Sequence, residues 1–383
     1  MQIFCYSIAN DGLDFLGLCE NATSILWTRN FYQGDTFSIR VPATPTNIKL
    51  FAKYQLVELM FDVSYDESKF CGIITDFNIA RTASGEEMVV SGMSPDGFLQ
   101  RRILRYQEKT QTLMQVINEN LVDNSTTARS FPATSFVYDY DVAQSTSEAL
   151  VGSDLGQFVK IEGEKNGVGL QSYVVHNDGK PYIIVKLRKG VERTTSQTEN
   201  KAIIISDSFD TAYDMEYDFS DNGSINSVLV YSPRQLDETS RIAVREVNEW
   251  FFLPKSNTKG YMRTEKMVRI TPVKMDYEEK DGSIWKVLDE IATLEQAEEK
   301  AESTFAEPTE FFDGKLLLPA SYTGVLELGD IVTAQNVRWG ITADKRITEL
   351  VYQWGNGEGE QLSATMGETY KGTLEIIKNK LGG

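Results

Sequence analysis

The stretch Leu328–Leu350, "LGDIVTAQNVRWGITADKRITEL", holds a turn, a strand, a tight reversal centred on Trp339-Gly340 and a second strand. That order describes a hairpin of a small β-barrel. Much of the pattern occurs a second time. "CGIITDFNIA" (Cys71–Ala80) aligns with "WGITADKRIT" (Trp339–Thr348), so that Gly72 falls on Gly340, Ile73 on Ile341, Asp76 on Asp344 and Ile79 on Ile347. Upstream, "YQLVEL" corresponds to "GDIVTA", which begins with Gly329 and Asp330. Downstream, "GEEMVVSGM" corresponds to "GEQLSATMG", with a longer loop before the second copy. The repeated glycine suits a reversal needing φ > 0 or a close backbone approach. On a regular strand the two isoleucines of each copy face one side, and the aspartate faces the opposite, solvent side. The repeat implies two related barrels at opposite ends of the chain. Two like modules per chain let a threefold assembly present six nearly equivalent units.

Working outward, the first hundred or so residues read as short strands, which argues for a small barrel or sandwich. In "SILWTRNFYQGDTFSIRVP", Phe37, Ile39 and Val41 alternate with Thr36, Ser38 and Arg40, and Pro42 with Pro45 ends the run. From Thr110 the period changes. Leu113, Ile117 and Leu121 predict a short amphipathic helix, with Thr110 or Thr112 able to cap it. "STSEALVGSDLGQFVKIEGEKNG" favours a helix at its start, weakened by Gly152 and Gly156. "SYVVHNDGKPYIIVKL" reads as strand, Asn-Asp-Gly turn, strand. "AIIIS", "DMEYDFS" and "SINSVLVYSP" are strand candidates, followed by a long predicted helix in "SIWKVLDEIATLEQAEEKAESTFAE". There Trp285, Leu288, Ala292 and Phe305 share an inner stripe. The expected fold class is mixed, mainly β (α+β). It comprises a barrel over 1–104, an α/β domain over 105–198, a second barrel over 199–372 with a helix-containing insertion near 240–310, and a tail 373–383.

Composition narrows function. The 383 residues are 41% hydrophobic, 11% aromatic and 25% charged, a globular composition long enough for several domains. No apolar run approaches the roughly eighteen residues of a spanning helix, so no membrane insertion is expected. The first residues lack a basic and then apolar leader, so a cytoplasmic site of synthesis is expected. Cys5, Cys19 and Cys71 form no CxxC pair, which points to reduced, buried thiols rather than a zinc site. The only histidine, His176, sits at a hairpin end and is expected at the surface. One histidine removes most Ser-His, Cys-His and His-metal chemistry. The net charge of −18, from 56 acids against 38 bases, argues against nucleic-acid binding. It fits either plain solubility or a surface past which DNA slides without sticking.

The segments "SILWTRNFYQGDTFSIRVPATPTNIKLF", "GIITDFNIARTASGEEMVVSGM", "FLQRRIL", "KGVERT" and "LELGDIVTAQNVRWGITADKRITEL" resemble the ReqiPepy-type siphophage tail-tip proteins, relatives of baseplate hub proteins. The resemblance covers both ends in order and thins between Asn124 and Gly167. It implies a non-enzymatic homotrimer at the distal end of a tail tube, in the virion, with no cofactor. Its implied neighbours are a distal tail protein hexamer, the tape-measure protein and a receptor-binding protein or fibre, with DNA passing through unbound. Alternatives are a carbohydrate-binding adhesin or a cell-wall hydrolase, although no hydrolase domain is expected beyond the second barrel.

Candidate interface or structural residues follow. Trp27, Arg29, Arg338 and Trp339 stand near reversals, either bridging subunits or plugging a barrel beside a surface arginine. Arg101, Arg102 and Arg105 form a basic cluster, either solvated and ion-paired within the chain or meeting an acidic patch of a neighbour. Asp218, Ser220, Asn222 and Gly223 imitate the start of a calcium loop, but Leu229 stands where the twelfth-position glutamate belongs, so no metal is expected. "NGVGLQ" is not a phosphate cradle, because no GxxxxGK follows.

Overall fold

The structure is a computed structural model. It describes residues 2–60, 67–82, 85–105, 111–121, 129–138, 142, 151–176, 179–209, 213–233, 247–252, 260–270, 276–280, 283–287, 294–306, 309–315, 326–355 and 359–367. The chain divides into two compact units, Met1–Glu216 with Phe312–Gly383, and Tyr217–Phe311.

The N-terminal third is strands, as its alternation requires. Hairpin β1 (Gln2–Ala9) and β2 (Gly12–Cys19) is followed by hairpin β3 (Ser24–Asn30) and β4 (Thr36–Pro42). Phe37, Ile39 and Val41 are buried on β4, while Thr36 and Arg40 face solvent. Helix α1 (Pro45–Leu50) starts at Thr44, whose hydroxyl accepts from the Asn47 N–H at 3.1 Å. Then come β5 (Leu56–Met60), β6 (Glu67–Ser68), β7 (Cys71–Thr82), β8 (Gly85–Met93) and a 3-10 helix, Pro95–Arg101.

The middle piece is α/β. Helix α2 (Leu113–Leu121) opens on a reciprocal cap: Thr112 accepts from the Gln115 N–H, and Gln115 accepts from the Thr112 N–H at 2.9 Å. Thr110 lies outside the described residues. After β9 (Thr134–Tyr138) comes α3 (Leu155–Asn166), fixed by Asp154 at its start and by Gly167, φ 63°, at its end. Gly152 and Gly156 therefore do not prevent a helix, which starts after the first of them. Strands β10 (Gly169–Val175) and β11 (Tyr182–Arg188) form the expected antiparallel hairpin. Ile117, Leu121, Leu155, Phe158, Val174, Ile183 and Val185 are among its buried core, each contributing roughly 1.5–3 kcal/mol by leaving water. Short strands β12 (Glu192–Arg193) and β13 (Ile204–Ser206) lead out of this piece.

The second unit has β14 (Tyr213–Ser220) and β20 (Thr309–Lys315), which pair, at its boundaries. Between them are β15 (Ser227–Pro233), β16 (Val247–Phe252), β17 (Glu265–Arg269), β18 (Asp276–Lys280), β19 (Ser283–Val287) and α4 (Leu294–Glu302). Here the long predicted helix is corrected. Ser283–Val287, which includes Trp285, is a strand paired with β18, because "SIWKV" is rich in β-branched and aromatic residues and has a partner strand beside it. The helix begins at Leu294, and its inner face is Ala297 and Ala301 with Phe305, packed with Val228 and Val230. Leu288 and Ala292 lie outside the described residues.

The chain closes with β21 (Ile331–Asn336), β22 (Ile341–Gly355) and β23 (Gly359–Met366). These join the N-terminal strands in one sheet of twelve, ordered β12-β21-β22-β3-β4-β8-β7-β5-β1-β2, with β13 also on β21 and β23 also on β22. The fold is thus mainly β, of mixed α+β class. Both ends of the chain share a sheet through the β22–β3 ladder.

The internal repeat is present in that sheet, in a register the sequence alignment has only at its flanks. Strands β5, β7 and β8 follow one plan with β21, β22 and β23. The turn before β5 has the Gln55 N–H on Ala52 O and the Ala52 N–H on the Gln55 side chain. The turn before β21 has the Asp330 N–H on Glu327 O and the Glu327 N–H on the Asp330 side chain. Their third residues, Tyr54 (φ 66°) and Gly329 (φ 90°), both have positive φ. Ile74 then exchanges backbone bonds of 2.9 Å with Tyr54 and Gln55, and Ile347 exchanges bonds of 2.8 Å with Gly329 and Asp330. A bulge follows each, at Thr75 and at Thr348. Past it, Asp76 pairs with Ser91 and Glu349 with Thr365. "ITDF" (74–77) is therefore the sister of "ITEL" (347–350), and Ile74 matches Ile347 rather than Thr342. The bulge also inverts the alternation, so Ile79 shares a face with Ile74 and not with Ile73.

Candidate assembly site

The aligned glycines do different jobs. Gly340 has φ 69° and turns β21 into β22, with open space where a Cβ would be. Gly72 lies in β7 because a Cβ there would sit 2.4 Å from the Phe37 ring. Asp76 and Asp344 are both exposed and each accepts from a threonine hydroxyl, Thr75 at 2.9 Å and Thr333 at 2.7 Å. Their solvent side is as expected, although they are not sisters.

Trp27 and Arg29 are buried at the heart of the first unit. In the β3–β22 ladder Trp27 lies opposite Tyr352 and Arg29 opposite Leu350, so all four side chains share one face of the sheet. Trp27 stacks on Phe37 at 4.7 Å. Arg29 sits 5.4 Å over the Phe70 ring, with Nε 3.4 Å from an Asp35 oxygen and Nη2 donating to Gln171 at 3.3 Å. Gln171 in turn donates to the Leu328 carbonyl at 3.5 Å and accepts from Tyr173, to which Arg188 donates at 2.9 Å. One buried cation thus ties β3 to β10 and, through Gln171, to the turn before β21.

Two acids face that cation. Asp35 accepts from the Asn30 N–H, and Asp96 accepts from Ser172 at 2.5 Å. Burial pushes the Asp35 carboxyl up to about 7, opposed by Arg29 and assisted by Asp96; burial raises Asp96 too. The two titrate as a pair against one guanidinium. A third buried acid, Asp330, receives Arg193 Nε and the Val191 N–H, both at 2.9 Å, and so clamps β12 to the opening turn of β21. Lys69 pairs with Glu327. His176 is half-buried rather than a plain surface residue. Its Nε2 lies 2.9 Å from the fully buried Glu58, which raises the imidazole pKa and anchors the β10–β11 hairpin to β5.

The remaining candidates lie apart. Arg338 and Trp339 are exposed at the β21–β22 turn. Arg101 stacks on Phe98 and Arg102 on Phe131, while Arg105 donates its backbone N–H to Asn120. Only Arg101 and Arg105 of that cluster are exposed. In the calcium-like stretch, Ser220 accepts from the Asn222 N–H and Asp221 accepts from the Ser224 hydroxyl, so the turn closes on its own side chains. The Asp218 side chain lies outside the described residues. Among the described residues no cluster of three acids, histidines or cysteines suits a metal.

Sequence reasoning missed the outer edge of β7. From Asp76 to Arg81 every side chain is exposed, including Phe77 at 50% and Ile79 at 45%. Alternating apolar residues were legible there, but whether a strand ends up at a sheet edge depends on partners distant in the chain. The Asp35–Arg29–Gln171 network escaped for the same reason.

Residues 5–368 match the family model described as Siphovirus ReqiPepy6 Gp37-like protein. No curated protein matches the sequence. Among solved structures, a tail protein from Neisseria meningitidis MC58 superposes with a TM-score of 0.54 at 13% identity, covering 96% of each chain. The 43 kDa tail protein of prophage MuSo2 from Shewanella oneidensis gives 0.55 at 9% identity, covering 96% of this chain and 98% of its own. At such identities the likeness is one of fold.

Proposed function

Since this chain belongs to the Siphovirus ReqiPepy6 Gp37-like family of phage tail proteins, we propose that three copies form a hub closing the distal end of a tail tube. The hub joins a distal tail protein hexamer to the tape-measure protein on one side and to a receptor-binding protein or fibre on the other. It works by assembly and by guarding the channel, not by catalysis. We carry 1–104 and 199–372 as its two modules, with 105–198 between them.

The observation that supports this reading most is the repeated strand plan, turn for turn and bulge for bulge, of β5-β7-β8 and β21-β22-β23. Two sister modules in each of three copies give six quasi-equivalent positions, which lets a threefold object seat on a sixfold tube. The net charge of −18 fits a channel wall that repels phosphate and so releases DNA. Arg29, Asp330 and Glu58 hold the modules and the α/β piece together.

Electron cryomicroscopy of purified tails tests the reading. Three copies at the distal end, with six modules around the axis and acids toward the lumen, are expected. A single peripheral copy, or a lumen lined with net basic charge, would overturn it.

A further inference from the structure

The sister strands differ in one respect. In β22 the run Glu349–Gly355 is paired on both edges, by β23 and by β3. In β7 the matching run Asp76–Thr82 is paired by β8 on one edge, and among the described residues no strand pairs the other. Side chains follow suit. Leu350 and Tyr352 are 5% and 2% exposed, while their sisters Phe77 and Ile79 are 50% and 45% exposed. Phe77 lies opposite buried Val90 and Ile79 opposite buried Met88, so both project from the core-facing side of the sheet. A long edge that carries apolar residues, with Asp76 and Arg81 its only charges and no proline, is a template for strand addition.

We propose that this edge of β7 is completed by a second copy of this chain, through the neighbour's β14. The inference rests on the hub reading and supplies its contact. Within one chain, β3 seals β22. In a ring of alternating modules, the strand in β3's place in the second module seals β7 of the next copy. That strand is β14. Each module contains a strand pair, β3–β4 or β14–β20, whose second strand leads by "VPA" (41–43) or "LPA" (318–320) to the matched turn before β5 or β21. The sequence of β14, "YDMEYDFS", alternates apolar and polar residues as a strand with one buried face does. Pairing would bring backbone groups of Phe77, Ile79 and Arg81 into a ladder. Ile74 bonds toward the β5 edge, and after the bulged Thr75 the alternation returns to that edge at Phe77.

Native mass spectrometry of the full chain tests this with three variants. Phe77→Glu/Ile79→Glu places charge on the edge, Arg81→Pro removes a donor from it without touching the β8 ladder, and Tyr217→Glu alters β14. The wild type is expected as a trimer and all three variants as monomers, with far-ultraviolet dichroism unchanged and a thermal midpoint lowered to that of the wild type diluted below its association range. If the glutamate variant fails to fold, Arg81→Pro decides. A trimer that survives the β7 variants overturns the edge contact and leaves the hub reading standing. Dissociation by the β7 variants but not by Tyr217→Glu overturns β14 as the occupant. A wild type that stays monomeric at every concentration overturns the contact as drawn, while tail imaging separately judges the hub.

Discussion

In β22 the residues Leu350 and Tyr352 lie beside Arg29 and Trp27 of β3 on one buried face, whereas in β7 the same two places in the plan, Phe77 and Ile79, stand in solvent. Turn, bulge and ladder are shared, so backbone plan alone does not determine whether a strand is buried. The neighbour does. Strand β3 supplies that neighbour to β22 from within the chain, and among the described residues no strand supplies it to Asp76–Thr82 of β7.

The largest expected effect breaks the sealed side. Trp27→Ala removes a fully buried ring stacked on Phe37 and should cost about 3–5 kcal/mol in urea denaturation. The sister-side change Phe77→Ala should move the stability of the monomer by no more than about 0.5 kcal/mol. Equal losses at both sites would erase the contrast. Next, Arg29→Met leaves Asp35 and Asp96 facing each other without a cation and should cost about 3 kcal/mol or more. Asp35→Asn in that background should recover part of the loss, and a simple addition of the two effects would contradict a shared network.

A smaller effect separates the two glycines that sequence alone aligns. Gly72→Ala forces a methyl against Phe37 and should cost about 1–3 kcal/mol. Gly340→Ala meets open space, so only its φ of 69° is penalised, at about 1 kcal/mol. The opposite order would contradict the assignment of one glycine to close packing and the other to a turn.

The last effect is in pH. Glu58 raises the His176 pKa, so the folded chain holds that proton to higher pH than the unfolded chain. The stability gained is full below the ordinary value of 6.5 and is lost as pH rises through the raised one. Asp35 acts in the same sense for a different reason. Burial lifts it from 3.8 to about 7, so the folded chain keeps a proton the unfolded chain has lost, and stability falls as pH rises across that interval. The thermal midpoint should decline from weakly acidic to weakly alkaline pH. Asp35→Asn should flatten the lower part of the decline and His176→Gln the upper part. A midpoint that rises with pH would contradict both assignments.

Much of this was legible in the residues. Alternation gave β4 and the β10–β11 hairpin, and Leu113, Ile117 and Leu121 gave α2. The flanks of the repeat were correct because "YQLVEL" and "GEEMVV" are bounded by turns, which fix register locally. Its centre slips because the connection from β5 to β7 is longer than the turn from β21 to β22, and β22 starts further ahead of its bulge than β7 does, so two glycines in different settings align in place of the true pair "ITDF" and "ITEL". Strand β19 was hidden inside a helical period because its partner β18 decides its form. The buried site was out of reach: Arg29 and Gln171 are 142 positions apart, and nothing local to either announces the other.

The most direct test is hydrogen exchange on the full chain over a dilution series. Peptides covering Glu349–Gly355 should stay protected at every concentration, and those covering Asp76–Thr82 should gain protection only as the chain associates. Equal protection of the two runs in the monomer, or no gain at Asp76–Thr82 on association, would contradict the claim that one sister strand is completed within the chain and the other by its neighbour.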